Sequence, residues 1–322
     1  MNISLLLENL TNPALLFFIL GVVAVYLKSD LEVPPNSSKF ISLYLLFSIG
    51  FKGGQELSHE VFTKEIFLAI LFGISISALI PCYSFFVLKR KFNVYDAAAV
   101  AAAYGSVSAV TFVTAVSYLE AHQLHLHGYM VAIMALMESP AIIVGLLLLS
   151  YYNKNKDDLI DKKHVLKHSF TNGSVLLLLG SLLIGYVANA EQAQGIKPFT
   201  NDLFKGFLAV FLLDMGVNSG RNLKSFFAFG WFPMAFATVL PLINGSLVAY
   251  SSSLVSNDLS NRFIFAVLAA SASYIAVPAA MKISVPKSNP GLLLPMTLAI
   301  TFPVNITIGM PLYYWIASNF SF

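Results

Sequence analysis

The sequence predicts an all-α integral membrane protein with ten transmembrane helices, arranged as two inverted repeats of five helices. Three observations lead to this fold class: an apolar composition, motifs that recur in both halves, and an uneven distribution of basic residues. Hydrophobic residues make up 57% of the 322 residues and charged residues 11%, whereas soluble domains carry about 25% charged residues. A chain this apolar is not expected to form one or two water-soluble domains.

Two motifs occur once in each half of the chain. Residues 49–57 and 215–223 are related glycine-containing segments at an offset of 166. Residues 102–110 and 269–277 both read Ala-Ala-x-x-Ser-x-x-Ala-Val, at an offset of 167. Weak internal symmetry in an apolar chain is typical of transporters built from two repeats with a binding site between them. The repeat therefore predicts a membrane transporter.

Segments of roughly 17–25 apolar residues can cross a bilayer, and ten can be placed along the chain. They are predicted at 12–28, 39–54, 65–88, 96–118, 128–151, 169–189, 200–219, 226–250, 262–283 and 291–318. The polar segment 152–168 divides them into two sets of five. The predicted organisation is thus a first repeat at 1–151, a cytoplasmic linker at 152–168 and a second repeat at 169–322.

The individual spans differ in character. We interpret the first as a retained helix, because Glu8 precedes it and a cleavable signal peptide would begin with basic residues instead. The second and the seventh are short and rich in glycine. The fourth and the ninth contain residues that an ordinary membrane helix avoids.

Basic residues set the predicted orientation. Fourteen of the 19 Lys and Arg residues fall in the loops after odd-numbered spans and five on the other side, and basic loops stay in the cytoplasm. Both termini are therefore predicted outside a cell (inner) membrane, with the linker inside. An odd number of spans per repeat then places the two repeats in opposite orientations.

Spans four and nine are predicted to be broken. Gly105 and two hydroxyls interrupt the fourth, and Pro278, which cannot donate to the helix ladder, interrupts the ninth. Backbone freed at membrane depth is tolerated where it lines a buried polar cavity. Facing half-helix N-termini would attract an anion, while carbonyls and hydroxyls would suit Na⁺. The predicted substrate-binding residues are Tyr104, Gly105, Ser106, Val107, Ser108, Ser273, Tyr274, Ile275 and Ala276.

Two further groups of residues are candidates for coupling transport to an ion. The predicted Na⁺ ligands are Ser106, Ser108, Thr111, Ser271 and Ser273. Glu138 and Asp214 are acids inside predicted spans, where charge is costly and usually functional. Each is a candidate cation ligand or proton carrier, or a structural group that caps freed amides. No cofactor is expected apart from Na⁺ as coupling ion.

At these residues the chain resembles the sodium-dependent bicarbonate transporter family, over nearly its whole length. The resemblance rests on residues 49–54, 104–108, 138–141, 214–216 and 271–290, together with 309–313. It implies crossed broken helices four and nine, a core domain and a gate domain, and a homotrimer. It also implies anion and Na⁺ sites at the two breaks.

The second break departs from the cyanobacterial pattern of that family. Tyr274 stands where the pattern has an acid, Ala272 and Ala276 replace hydroxyls, and Val277 replaces a glycine. This chain therefore resembles a non-cyanobacterial branch, and its substrate is expected to be bicarbonate or a small carboxylate. The short linker argues against the docking of a cytoplasmic regulatory protein.

The leading functional hypothesis is secondary active transport of a small anion, coupled to Na⁺ by alternating access. A proton-coupled carrier that uses Glu138 or Asp214 and a passive channel are the alternatives. The sequence contains no phosphate-binding loop, nucleophile elbow or zinc helix motif, so an enzyme is not expected. The expected partners are the anion, Na⁺ and membrane lipid, with no nucleic acid.

Overall fold

The computed structural model describes residues 13–153, 173–226 and 229–321, and within these ranges it contains helices and loops but no strand. The helices are α1 (Pro13–Tyr26), α2 (Pro35–Ser58), α3 (Lys64–Leu88), α4 (Val94–Gly105), α5 (Ala109–Ala121), α6 (Gly128–Tyr152), α7 (Gly173–Val187), α8 (Ala190–Lys197), α9 (Phe204–Phe226), α10 (Trp231–Ser251), α11 (Leu259–Ala270), α12 (Ala276–Ser284) and α13 (Pro290–Asn319).

Six helical stretches in the described ranges are long and apolar enough to cross a membrane, by length and composition. They are Lys64–Leu88, Val94–Ala121, Gly128–Tyr152, Ala190–Leu223, Trp231–Leu254 and Pro290–Asn319. Large apolar side chains such as Leu79, Leu183 and Leu247 face outward, as expected where lipid is the solvent. The chain is therefore a multi-pass membrane protein.

Two helix pairs pack closely through glycine: α1 against α9 and α2 against α7. In the first pair Gly21 and Gly216 face each other, and a Cβ on either would clash with the opposite backbone. In the second pair Gly54 and Gly185 play the same part. Small residues let helix backbones approach in a membrane, where packing rather than the hydrophobic effect joins helices.

The interrupted helices α4 and α11 lie in the centre of the bundle. Every residue from Ala97 to Gly105 is buried, as is every residue from Ser260 to Ala270. Alanine dominates α4, and its small side chain allows neighbouring helices to pack on all sides. Helices α3 and α6 pack against α4, while α10 and α13 pack against α11.

The last span, α13, contains two π-helical stretches, Pro295–Thr301 and Asn305–Gly309. Pro295, Pro303 and Pro311 lie along the same span, and each lacks the amide that an α-helix needs. Widened turns of this kind are common at functional sites.

The helix bounds differ from the predicted spans in one instructive place. The second span was expected to end at residue 54, because glycines follow one another there, but α2 continues to Ser58. Gly53 contacts the Val131 side chain and Gly54 the α7 backbone, so these glycines serve close packing and do not end the helix. Residues 154–168 of the predicted linker lie outside the described residues.

Candidate functional site

The first break separates α4 from α5 at residues 106–108. Gly105 ends α4 against α3, where a Cβ would clash with the ring of Pro81. Ser106 and Ser108 are extended. The Ser108 Oγ accepts a hydrogen bond from the Thr111 amide at 3.2 Å and thereby caps α5.

The second break separates α11 from α12 at residues 271–275. The Ser271 Oγ donates to the Leu268 carbonyl at 2.8 Å, which satisfies a carbonyl at the end of α11. The Ser273 Oγ accepts from the Val277 amide at 3.2 Å at the start of α12. Pro278 lies in the first turn of α12, where its missing amide costs little. The proline therefore stands at the start of the second half-helix.

The two breaks touch and complete each other's hydrogen bonds. The Ser273 amide donates to the Ala103 carbonyl at 2.9 Å. The Ser108 amide donates to the Ser271 Oγ at 3.0 Å. Buried backbone polar groups need such partners, so each break supplies acceptors for the backbone that the other has freed.

A cavity of about 30 Å³ lies where the breaks meet; we name it the break cavity. It has room for a small number of water-sized groups. The two breaks contribute Val107, Ser108, Ala109, Ser273, Tyr274, Ile275 and Ala276 to its lining. Ala109 and Ala276 are the first residues of α5 and α12. Both half-helices therefore direct their N-terminal ends, which carry partial positive charge, at the same cavity.

Glu138 also lines the break cavity, from the middle of α6. Within the described ranges no ion pair or hydrogen bond joins its carboxylate to another side chain. A charge without a counter-charge inside a span is costly. Glu138 is the acidic side chain in the lining of the break cavity.

Five of the residues predicted from the sequence lie beside the break cavity and do not line it. The Tyr104 hydroxyl contacts the Thr301 Oγ1 at 2.7 Å, and its ring packs on Phe236. Ser271 already holds two hydrogen-bond partners. These five residues are Tyr104, Gly105, Ser106, Thr111 and Ser271, and Asp214, the sixth predicted residue outside the lining, lies in the vestibule, a larger cavity described below.

Sequence reasoning did not identify the side chains of α13 that hold the breaks in place. The Asn305 Nδ2 donates to the Ala270 carbonyl at 2.7 Å, at the end of α11. The Tyr313 hydroxyl lies 2.9 Å from the Asn305 Oδ1 and 3.1 Å from the Pro241 carbonyl, and these two acceptors share its single proton. The available signal in the sequence was an asparagine inside an apolar span, since buried polar groups are kept only with partners, and the structure shows Asn305 fully buried.

A second, larger cavity of about 370 Å³ adjoins the break cavity; we name it the vestibule. Tyr274, Ile275 and Ser174 line both cavities. The vestibule reaches Glu32 and Arg221, whose ion pair spans 3.3 Å. Asp214, predicted as a coupling acid, lies in the vestibule and accepts a hydrogen bond from the Ser38 Oγ at 2.5 Å.

A third cavity of about 100 Å³, the Glu120 cavity, lies beside an ion-pair cluster. Lys52 pairs with Glu120 at 2.9 Å, and Lys205 approaches the same carboxylate at 3.5 Å. The residues that line this cavity include none that line the break cavity. The break cavity thus shares three lining residues with the vestibule and none with the Glu120 cavity.

The comparisons with known proteins agree with this architecture. The sequence model of the Na⁺-dependent bicarbonate transporter superfamily matches residues 13–318, nearly the whole chain. No curated protein sequence matches the chain with significance.

Proposed function

The chain belongs to the Na⁺-dependent bicarbonate transporter superfamily, and from this premise we propose that it carries a small anion together with Na⁺ by alternating access. The observation that carries the proposal is the break cavity, where two half-helix N-termini, the hydroxyls of Ser108 and Ser273, and Glu138 meet. Helix N-termini attract anions, and neutral oxygens are the ligands of small hard cations.

Bicarbonate or a small carboxylate suits this cavity best. Its volume of about 30 Å³ leaves no room for a large substrate. Its walls combine apolar side chains, such as Val107 and Ile275, with few polar groups, as in most sites that select small ligands. We assign Na⁺ to the hydroxyl side of the cavity, near Ser108 and Ser273.

Alternating access is supported by the arrangement of the three cavities. The break cavity borders the vestibule through three shared lining residues, and the Lys52–Glu120 ion pair lies beside the Glu120 cavity, which shares none. By the distribution of basic residues, we assign the vestibule to the cytoplasmic face. We propose that, during transport, the break cavity closes toward the vestibule and opens toward the Glu120 cavity.

We further propose ten spans in two inverted repeats, a core domain that carries the breaks, a gate domain and a homotrimer in the inner membrane. The paired contacts support the repeat: the first span of each half packs, through glycine, on the second span of the other half. The core would contain α4, α5, α11 and α12. The gate would contain the α1–α9 and α2–α7 pairs.

Proton coupling is the second candidate, and Glu138 favours it. Its carboxylate lines the break cavity without an ion-pair partner in the described ranges, so it could load a proton on one side and release it on the other. Under this alternative, uptake would follow a pH gradient and would persist when choline replaces Na⁺.

The test is uptake of labelled bicarbonate and small carboxylates into proteoliposomes that contain the full-length protein. We expect saturable, uphill uptake with an inward Na⁺ gradient and none when choline replaces Na⁺. Ser108→Ala should raise the Na⁺ concentration for half-maximal uptake about fivefold, because one oxygen ligand is lost. Ser117→Ala, a buried serine on the same helix that does not line the cavity, is the control and should match wild type.

Uptake that ignores Na⁺ but requires a pH gradient would replace this proposal with the proton-coupled one. Flux that runs only down the anion's own gradient would replace it with a channel. Equal Na⁺ dependence in wild type and Ser108→Ala would remove Ser108 from the cation site.

A further inference from the structure

The vestibule contains a carboxylate that the break cavity does not use. Asp214 lies near the middle of α9, and its residue is 4% exposed. An acid at this depth is costly and needs a compensating interaction. The Ser38 hydroxyl, on α2, donates to it at 2.5 Å, but a neutral hydroxyl leaves the charge uncompensated. The carboxylate therefore lacks a counter-charge in direct contact.

Oxygen-bearing side chains surround Asp214 from three elements. The Asn218 side chain, one turn later on α9, also lines the vestibule; its amide nitrogen faces the Asp214 carboxylate as a donor, and the same amide group carries an oxygen. Tyr274, in the second break, lines the same vestibule, and its hydroxyl is close enough to sense the Asp214 charge. Carboxylate, hydroxyl and amide oxygens are the ligands that hard cations take.

The Tyr274 hydroxyl is the second, independent sign of a ligand. The residue is 8% exposed, and its hydroxyl makes no hydrogen bond of good geometry, although Ser108 is near. Buried tyrosine hydroxyls normally have a partner. This one stands between the break cavity and the vestibule, both of which Tyr274 lines.

Among the described residues no basic side chain of the vestibule forms a direct ion pair with Asp214, and the charges of Arg221 and Glu32 act on it with opposite sign. Arg221 is paired with Glu32 at 3.3 Å, and both side chains are about half exposed. Lys39 is exposed. The rim therefore carries balanced charge in contact with water, whereas the deep end carries one buried negative charge.

We infer that Asp214, Ser38, Asn218 and the Tyr274 hydroxyl form a second site for a small monovalent cation, on the route between the break cavity and the vestibule mouth. The ligand class is an alkali cation, with Na⁺ as the occupant. This inference rests on the proposed function only in the choice of Na⁺ over other alkali cations. Because Tyr274 borders both cavities, an ion at this site would hold the tyrosine beside the substrate.

The test measures equilibrium binding of radioactive Na⁺ to purified full-length protein, with choline keeping the ionic strength constant. Asp214→Asn removes the charge and preserves the shape of the side chain, and we expect it to bind one fewer Na⁺ ion per chain than wild type. The control combines Glu32→Gln with Arg221→Gln, which removes the rim ion pair as a whole without releasing Arg221 toward Asp214, and it should bind as much Na⁺ as wild type. Tyr274→Phe and Ser38→Ala should each weaken the affinity about fivefold; they test the site even if Asp214→Asn does not fold.

The number of Na⁺ ions bound per chain distinguishes failure of this inference from failure of the proposed function. If wild type binds one ion and Asp214→Asn none, the vestibule site exists and Na⁺ coupling at the break cavity is refuted. If wild type and Asp214→Asn bind the same number with equal affinity, the vestibule site is refuted and the break cavity keeps its role. Loss of binding in the Glu32→Gln and Arg221→Gln double variant equal to that in Asp214→Asn would also overturn the inference, because the loss would then not depend on the Asp214 carboxylate.

Discussion

At the scale of single residues, some hydroxyls at the breaks are engaged in hydrogen bonds that join the two breaks, whereas others line the break cavity and can still bind an ion. Ser271 holds the Ser108 amide and the Leu268 carbonyl, so its hydroxyl is engaged in joining the breaks. Ser108 and Ser273 cap the second half-helices and still line the break cavity. A hydroxyl that accepts one hydrogen bond retains another lone pair for an ion.

His127, in the loop before α6, is a residue whose titration should affect stability. Its Nδ1 lies 3.3 Å from Glu60, and its Nε2 lies 3.6 Å from Asp258. The contact with Asp258 and the negative charges of Asp258 and Glu60 raise the pKa of His127. Charged His127 thus joins loops from both halves of the chain.

We predict that this contact stabilises the protein while His127 is charged and that the stabilisation is lost as His127 loses its proton. Because the pKa is raised in the folded state, the stabilisation is complete below the ordinary histidine pKa of about 6.5 and disappears as pH rises through the folded-state value. The melting temperature of wild type minus that of His127→Gln should therefore fall across this window. His59→Gln, at an exposed histidine, is the control. A pH-independent difference between wild type and His127→Gln would contradict the prediction.

At the scale of helices, glycine decides which pairs can approach. Gly216 and Gly206 lie on the same helix, α9, but in different surroundings. A Cβ at Gly216 would clash with the Phe18 carbonyl of α1, whereas a Cβ at Gly206 would meet nothing within 4 Å. The first glycine is therefore required by helix contact, and the second only weakens the helix.

Alanine substitutions at Gly216 and Gly206 should therefore change the stability of the protein in opposite directions. Gly216→Ala forces the α1 and α9 backbones apart and should destabilise the protein by about 1–3 kcal/mol. Gly206→Ala should be neutral or stabilise by up to about 1 kcal/mol, because alanine favours the helix. Unfolding of the purified variants in the same detergent checks both. Equal stability of the two variants would show that the α1–α9 contact is not close-packed.

At the scale of the whole molecule, the proposed alternating access uses the vestibule and the Glu120 cavity as its two routes. Their linings share no residue, and only the vestibule adjoins the break cavity through Tyr274, Ile275 and Ser174. The Glu32–Arg221 pair and the Lys52–Glu120 pair mark these two routes. Ion pairs that form on one side and break on the other are a simple means of alternating closure.

We predict that the two routes open to opposite sides of the membrane. In a Cys82→Ser background, His125→Cys, beside the Glu120 cavity, should react with an impermeant thiol reagent in intact cells. Asn36→Cys and Ser42→Cys, at the start of α2 and in the vestibule, should react only in inside-out vesicles. The reverse pattern would invert the orientation, and labelling of Ser42→Cys from the His125 side would remove the separation between the routes.

The sequence alone determined that the chain is an apolar, multi-pass helical protein and that it belongs to this transporter superfamily. The apolar composition predicts that lipid surrounds the helices, and the positions of the apolar runs predict where the helices lie along the chain. The interruptions at residues 106–108 and 271–275 were also predicted, because glycine, serine and proline act locally on the backbone.

Only the tertiary structure decided which side chains meet. The sequence grouped Tyr104 and Ser108 together, yet Tyr104 points to Thr301 of α13, and Ser108 lines the break cavity. It left Asp214 without a partner, whereas packing places Ser38 of α2 and Tyr274 of the second break beside the same vestibule. Contacts between residues so distant along the chain depend on how whole helices pack, and local sequence patterns carry no information about that.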